Sequence, residues 1–66
     1  MTWEELKEKA KEMGCYRYHS TLTSGEEWIT DGVWTFDNYG EIRCNGEIVS
    51  THRTPEQMLM IMRGLE

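Results

Sequence analysis

The chain has 66 residues, 38% hydrophobic and 29% charged, which suits one small folded domain over residues 1–66 and leaves no material for a second core. Seven Lys and Arg against 12 Asp and Glu give a net charge of −5, so phosphate backbones and anionic lipid are disfavoured partners. The longest nearly apolar run, Met58 to Met62, falls far short of the roughly twenty residues that a membrane-spanning helix needs.

Thr2-Trp3-Glu4-Glu5 has the form of a capping box, in which a hydroxyl and a carboxylate three residues on satisfy two orphan amides, and it predicts a helix starting at Trp3. Trp3, Leu6, Ala10 and Met13 recur at helical spacing and form one apolar stripe. Lys7, Glu8, Lys9, Lys11 and Glu12 fill the other side as a solvated face of mixed sign, and Gly14 supplies the left-handed stop. From Cys15 to Leu22 the period changes to two, with Tyr16, Tyr18 and Leu22 on one side and Arg17, His19 and Thr21 on the other, so a strand is expected.

Thr23-Ser24-Gly25 breaks that strand, and Asp31-Gly32 is a two-residue hairpin signal between Glu27-Trp28-Ile29-Thr30 and Val33-Trp34-Thr35-Phe36. Asp37-Asn38-Tyr39-Gly40 reads as a turn with glycine where positive φ is required. Asn45-Gly46 is the strongest turn signal, because both residues tolerate the left-handed conformation that a type I′ turn demands twice. It pairs Glu41 to Cys44 with Glu47 to Ser50. Carried outward, this register places Phe36 beside Ile42, Ile42 beside Val49 and Trp34 beside Cys44 on one face, with Thr35, Arg43 and Ile48 in a row on the other, near Val33 and Trp28.

Thr54-Pro55-Glu56-Gln57 repeats the capping logic, with proline at the first helical position, and predicts a second helix from Pro55. Met58, Ile61, Met62 and Leu65 share its apolar face, Leu59 flanks them, and Met60 points away from them into solvent. The expected fold is α+β: a helix, an antiparallel meander of three or four strands, and a helix, with both helices on one sheet face. Its core is expected from Trp3, Leu6, Ala10, Met13, Tyr16, Tyr18, Trp34, Phe36, Ile42, Val49, Ile61 and Leu65. The order of elements is similar to that of double-stranded RNA-binding domains in topology. That family has a basic cluster at its second helix start and a Gly-Pro-x-His loop, where this chain has Thr54-Pro55-Glu56-Gln57 and Thr23-Ser24-Gly25-Glu26, so the analogy implies a fold without RNA recognition.

Cys15, His19, Cys44 and His52 have the composition of a zinc site, but four residues along a strand span about 13 Å, beyond what two ligands of one tetrahedral ion bridge. No metal, cofactor or catalytic residue is expected: no glycine-rich elbow or phosphate loop accompanies the thiols, and adjacent carboxylates such as Glu26 and Glu27 face opposite ways. With no charged-then-apolar leader before the first helix, reduced thiols and a cytoplasmic location are expected. Leu65-Glu66 reads as a vector-derived remnant.

What is left is surplus apolar surface. Trp28, Ile48 and Val33 on the open sheet face and Met60 on the second helix exceed the needs of one core. The expectation is a non-enzymatic interaction or regulatory accessory module, of the kind that bacterial or phage genomes encode in short frames. It would bind another protein, or itself as a weak homodimer, through Trp28, Thr35, Arg43, Ile48 and Met60. The alternative is a nucleic-acid-associated protein that uses sheet-face arginines and aromatics, or acidic mimicry.

Overall fold

The computed structural model describes residues 1–21 and 23–64. Helix α1 spans Trp3–Met13. Its capping box forms as the sequence predicts: the Glu5 amide donates to Thr2 Oγ1 at 3.2 Å, and the Thr2 amide donates to Glu5 Oε1 at 3.4 Å. Gly14, at φ +81°, ends it, with its N–H returning to the Lys11 carbonyl. Helix α2 spans Pro55–Gly64 and starts from the same device, in which the Gln57 amide donates to Thr54 Oγ1 and the Thr54 amide to Gln57 Oε1.

Between the helices lies one antiparallel five-stranded meander in sequence order: β1 (Arg17–Ser20), β2 (Glu27–Thr30), β3 (Trp34–Asp37), β4 (Ile42–Cys44) and β5 (Glu47–Ser50). The strands therefore number five rather than three or four, because Glu27–Thr30 pairs on both sides. This also departs from the three-stranded order of the RNA-binding analogy. β1 is shorter than the alternation suggests, covering four residues of Cys15 to Leu22; Leu22 itself lies outside the described residues.

The turns account for the register. Asn45 at φ +53° and Gly46 at φ +83° make the tight turn that joins Cys44 to Glu47. The β2–β3 connection is wider than a two-residue loop, since Thr30 pairs with Thr35 rather than with Val33. The cause is local: Asp31 Oδ1 accepts the amides of Val33 and Trp34 at 2.9 and 2.8 Å, and Thr30 Oγ1 accepts that of Gly32, so side chains take the place of ladder bonds. In the β3–β4 turn, Asp37 Oδ1 accepts the amides of Tyr39 and Glu41, both at 2.9 Å.

Trp34 lies opposite Cys44 and Phe36 opposite Ile42, as the turns imply. A bulge between Ile42 and Arg43 then shifts β5, so Ile42 faces Ser50 instead of Val49. Val49 is left unpaired and 54% exposed, which removes it from the core. Tyr18 leaves it too, because β1 is an edge strand whose residues are all exposed. The buried cluster comprises Leu6 and Ala10 of α1, Ile29, Phe36 and Ile42 of the sheet, and Met58, Leu59 and Met62 of α2, with Trp3, Met13, Tyr16, Trp34 and Ile61 packed against it. Ile29, Met58, Leu59 and Met62 are additions to the expected core, and Leu65 lies outside the described residues.

A depression on the open sheet face

Pairing fixes which side chains share a face. Tyr18, Ile29, Phe36 and Ile42 are successive cross-strand partners, and the last three belong to the buried cluster. The alternate residues therefore line the opposite face. One row there runs Arg17, Thr30, Thr35, Arg43, Ile48, and the neighbouring row runs His19, Trp28, Asp37. The structure thus brings together four of the expected site residues, Trp28, Thr35, Arg43 and Ile48. Met60, 74% exposed, sits on α2 among residues whose neighbours Leu59 and Met62 enter the buried cluster, and it does not join that surface.

A shallow depression of about 330 Å³ opens on this face, lined by Thr21, Glu26, Trp28, Thr35, Asp37 and Arg43, with Gly46 of the β4–β5 turn. Trp28 is held by its neighbour on β1: the His19 ring stacks on the indole at 5.6 Å with 16° between planes. Arg43 is engaged by the Glu41 carboxylate at 3.0 Å. Asp37 is 5% exposed. Its Oδ1 holds the two turn amides, while Oδ2 has no hydrogen-bond or ion-pair partner among the described residues. The Glu26 carboxylate is likewise without a partner among them. Sequence reasoning missed Asp37 and Glu26 as site residues. Asp37 looks like a plain turn former, and only its two-residue offset from Thr35 on one strand signals its face.

A second group of charges lies by α1. Lys7 reaches Glu4 at 2.9 Å and Glu27 at 3.0 Å and lies 4.7 Å over the Tyr18 ring, whose hydroxyl donates to Glu27. The Tyr18 hydroxyl and then the Lys7 ammonium hold the Glu27 carboxyl below the usual range, while Glu4 and then Glu27 push the Lys7 ammonium up. These groups satisfy one another and tie α1 to the β1–β2 edge. The thiols and imidazoles do not converge: His19 is on the open face, Cys44 shares the opposite face with Trp34, and among the described residues no three His, Cys, Asp or Glu side chains are grouped to hold a metal. Among the same residues no helix is long and apolar enough to cross a membrane.

Compared with known proteins, the chain matches no family, no curated protein and no solved structure.

Proposed function

We propose that this protein is a non-enzymatic interaction module that binds another protein through the open face of its sheet. The observation that carries the reading is the gathering of Trp28, Thr35, Arg43 and exposed Ile48 on the face opposite the buried cluster, where the first three line an open depression. A half-buried tryptophan beside an arginine, rimmed by an exposed β-branched residue, is the composition of an interface anchor. A photo-cross-linking residue placed at Thr35 should yield one discrete protein adduct in the source cells, and the same residue at Met60 should not. The partner so identified should bind the purified chain at least tenfold more weakly when Trp28 is replaced by Ala. Equal adducts from both positions, or unchanged affinity in Trp28→Ala, would remove the open face from the function.

Nucleic acid is the second reading, favoured by Arg17, His19 and Arg43 sharing a face with Trp28. Glu26 and Asp37 beside the same indole oppose it by repelling phosphate. A salt-dependent gel shift with single-stranded RNA and duplex DNA separates the two.

A further inference from the structure

We propose that the free edge of β1 captures an extended segment of a partner protein, adding it to the sheet as a further strand beside α1. The site lies at the sheet edge and does not rest on the open face. The two outer strands of the meander are β1 and β5. The bulge beside Ile42 and Arg43 distorts β5, a device that spoils an edge as a template, whereas β1 pairs with β2 in unbroken register from Arg17 to Ser20 and all four of its residues are exposed. Hydrogen bonding fixes which backbone groups of β1 point outward. The Thr21 amide donates to the Glu26 carbonyl at 2.8 Å, and the Glu27 carbonyl turns toward β3, where it accepts from the Asn38 amide at 3.0 Å. Bonded and non-bonded pairs alternate along an antiparallel ladder, so the Ser20–Glu27 and Tyr18–Ile29 pairs are non-bonded, and Tyr18 and Ser20 aim their N–H and C=O groups away from β2. Two donors and two acceptors at ladder spacing form the template that an added strand needs.

The same edge borders a groove. A volume of about 370 Å³ opens between β1 and α1, where buried Ala10 and Ile29 line it together with Tyr16 and Tyr18. A residue paired with Tyr18 or Ser20 directs its side chain to the face that Tyr18 shares with Ile29, which is the face of the groove, so an apolar side chain there is received beside the tyrosines. The alternate residues of the added strand fall on the other face, beside Arg17 and His19. β1 holds no carboxylate, and the Arg17 guanidinium has no hydrogen-bond or ion-pair partner among the described residues. The occupant that answers both faces therefore alternates apolar with acidic residues. The β1 strand of a second copy does not, because self-pairing repeats Arg17 and His19 on both strands with no carboxylate to answer them.

The test is a titration of the intact, isotope-labelled chain with an acetyl-Glu-Val-Glu-Val-Glu-amide peptide at about 0.15 M salt, where charges farther away than about 8 Å are screened. The Tyr18 and Ser20 amides should shift saturably and, at saturation, exchange with solvent at least tenfold more slowly. In the bound register the valine amides face β1 and the central glutamate amide faces away. Methylating both valine nitrogens should therefore abolish the shifts, and methylating the central glutamate nitrogen should leave them. Arg17→Glu should weaken the acidic peptide roughly fivefold, the worth of one exposed ion pair, and should strengthen the counterpart with lysine in place of glutamate. No saturable shift, shifts that survive valine methylation, shifts centred on β5 or the open face, or an Arg17→Glu chain with unchanged preference would overturn the site. Tyr18 and Ser20 amides whose exchange slows with the concentration of the free chain would give the edge to a second copy and overturn it as well.

Discussion

Gly40 occupies a turn whose surroundings leave little room for a methyl group. At φ +92°, a Cβ would lie 3.0 Å from the Arg53 carbonyl oxygen and 3.1 Å from its nitrogen, backbone atoms that cannot rotate away. The Arg53 amide also donates to the Gly40 carbonyl at 2.9 Å, so the β3–β4 turn is fastened to the segment leading into α2. Gly40→Ala should therefore cost more than about 1 kcal/mol in a urea melt, combining left-handed strain with a clash. Gly46, at φ +83° with nothing near its Cβ position, gives the comparison: Gly46→Ala carries the strain alone and should cost less. Phe36 is the residue most enclosed by aromatic neighbours, with Tyr16 edge-on at 6.1 Å and Trp34 stacked at 6.5 Å, and it is 0% exposed. Phe36→Ala should cost roughly 3–5 kcal/mol, comparable with the whole stability of a small domain, and should collapse amide dispersion at room temperature.

At the scale of elements, the sequence was most legible where one residue type answers one backbone need. Both capping boxes, the Gly14 stop and the Asn45-Gly46 turn are forced by local geometry, so the helices and the β4–β5 hairpin could be placed from spacing alone. Two features were not local. The bulge after Ile42 moved Val49 out of the core although the Asn45-Gly46 turn was placed correctly, because no residue in Glu47–Ser50 announces an extra position. The Asp31 side chain widened the β2–β3 loop and moved the pairing by two residues. A slip of two preserves the face of every side chain, which is why Trp28 and Thr35 still fall on the open side and Ile29 and Phe36 on the buried one. Tyr18 follows alternation onto the buried side, but nothing in the spacing says that an edge strand leaves it half uncovered.

The α1 attachment to that edge makes the acid limb of stability measurable. Glu27 has its carboxyl lowered from an ordinary 4.5 by the Tyr18 hydroxyl and Lys7. A lowered folded-state value means that the contribution is complete above about 4.5 and is lost as pH falls through the folded value. Lys7, raised from 10.5, has the opposite sign: its contribution is complete below 10.5 and lost as pH rises beyond it. Urea midpoints should therefore fall as the wild-type chain is taken below pH 4.5, and Glu27→Gln should flatten that limb while lowering stability at neutral pH. An identical acid limb in the variant would assign the loss to other carboxylates.

The whole molecule is an open meander with the apolar side chains of two short helices gathered in one cluster, and this leaves a sheet face to be accounted for. Ile48 tests that account because it is the outermost residue of the row through Thr35 and Arg43, lies directly across from Arg43, and is 54% exposed. If the face is free in the monomer and covered in a complex, a charge at this position should damage binding without damaging folding. Ile48→Glu is the sharper substitution than Ile48→Lys, since a lysine would confront Arg43 across the strand pair and cost stability for a reason unrelated to burial. A glutamate there faces an opposite charge, and the change in unfolding free energy should stay within about 0.5 kcal/mol, as for other exposed positions. Association should weaken, read by sedimentation at rising concentration for self-association and by titration for the partner cross-linked through Thr35. Cooperative unfolding of Ile48→Glu well below the wild-type midpoint would mean that Ile48 is covered within the monomer, and both the register of β5 and the interaction face would have to be redrawn.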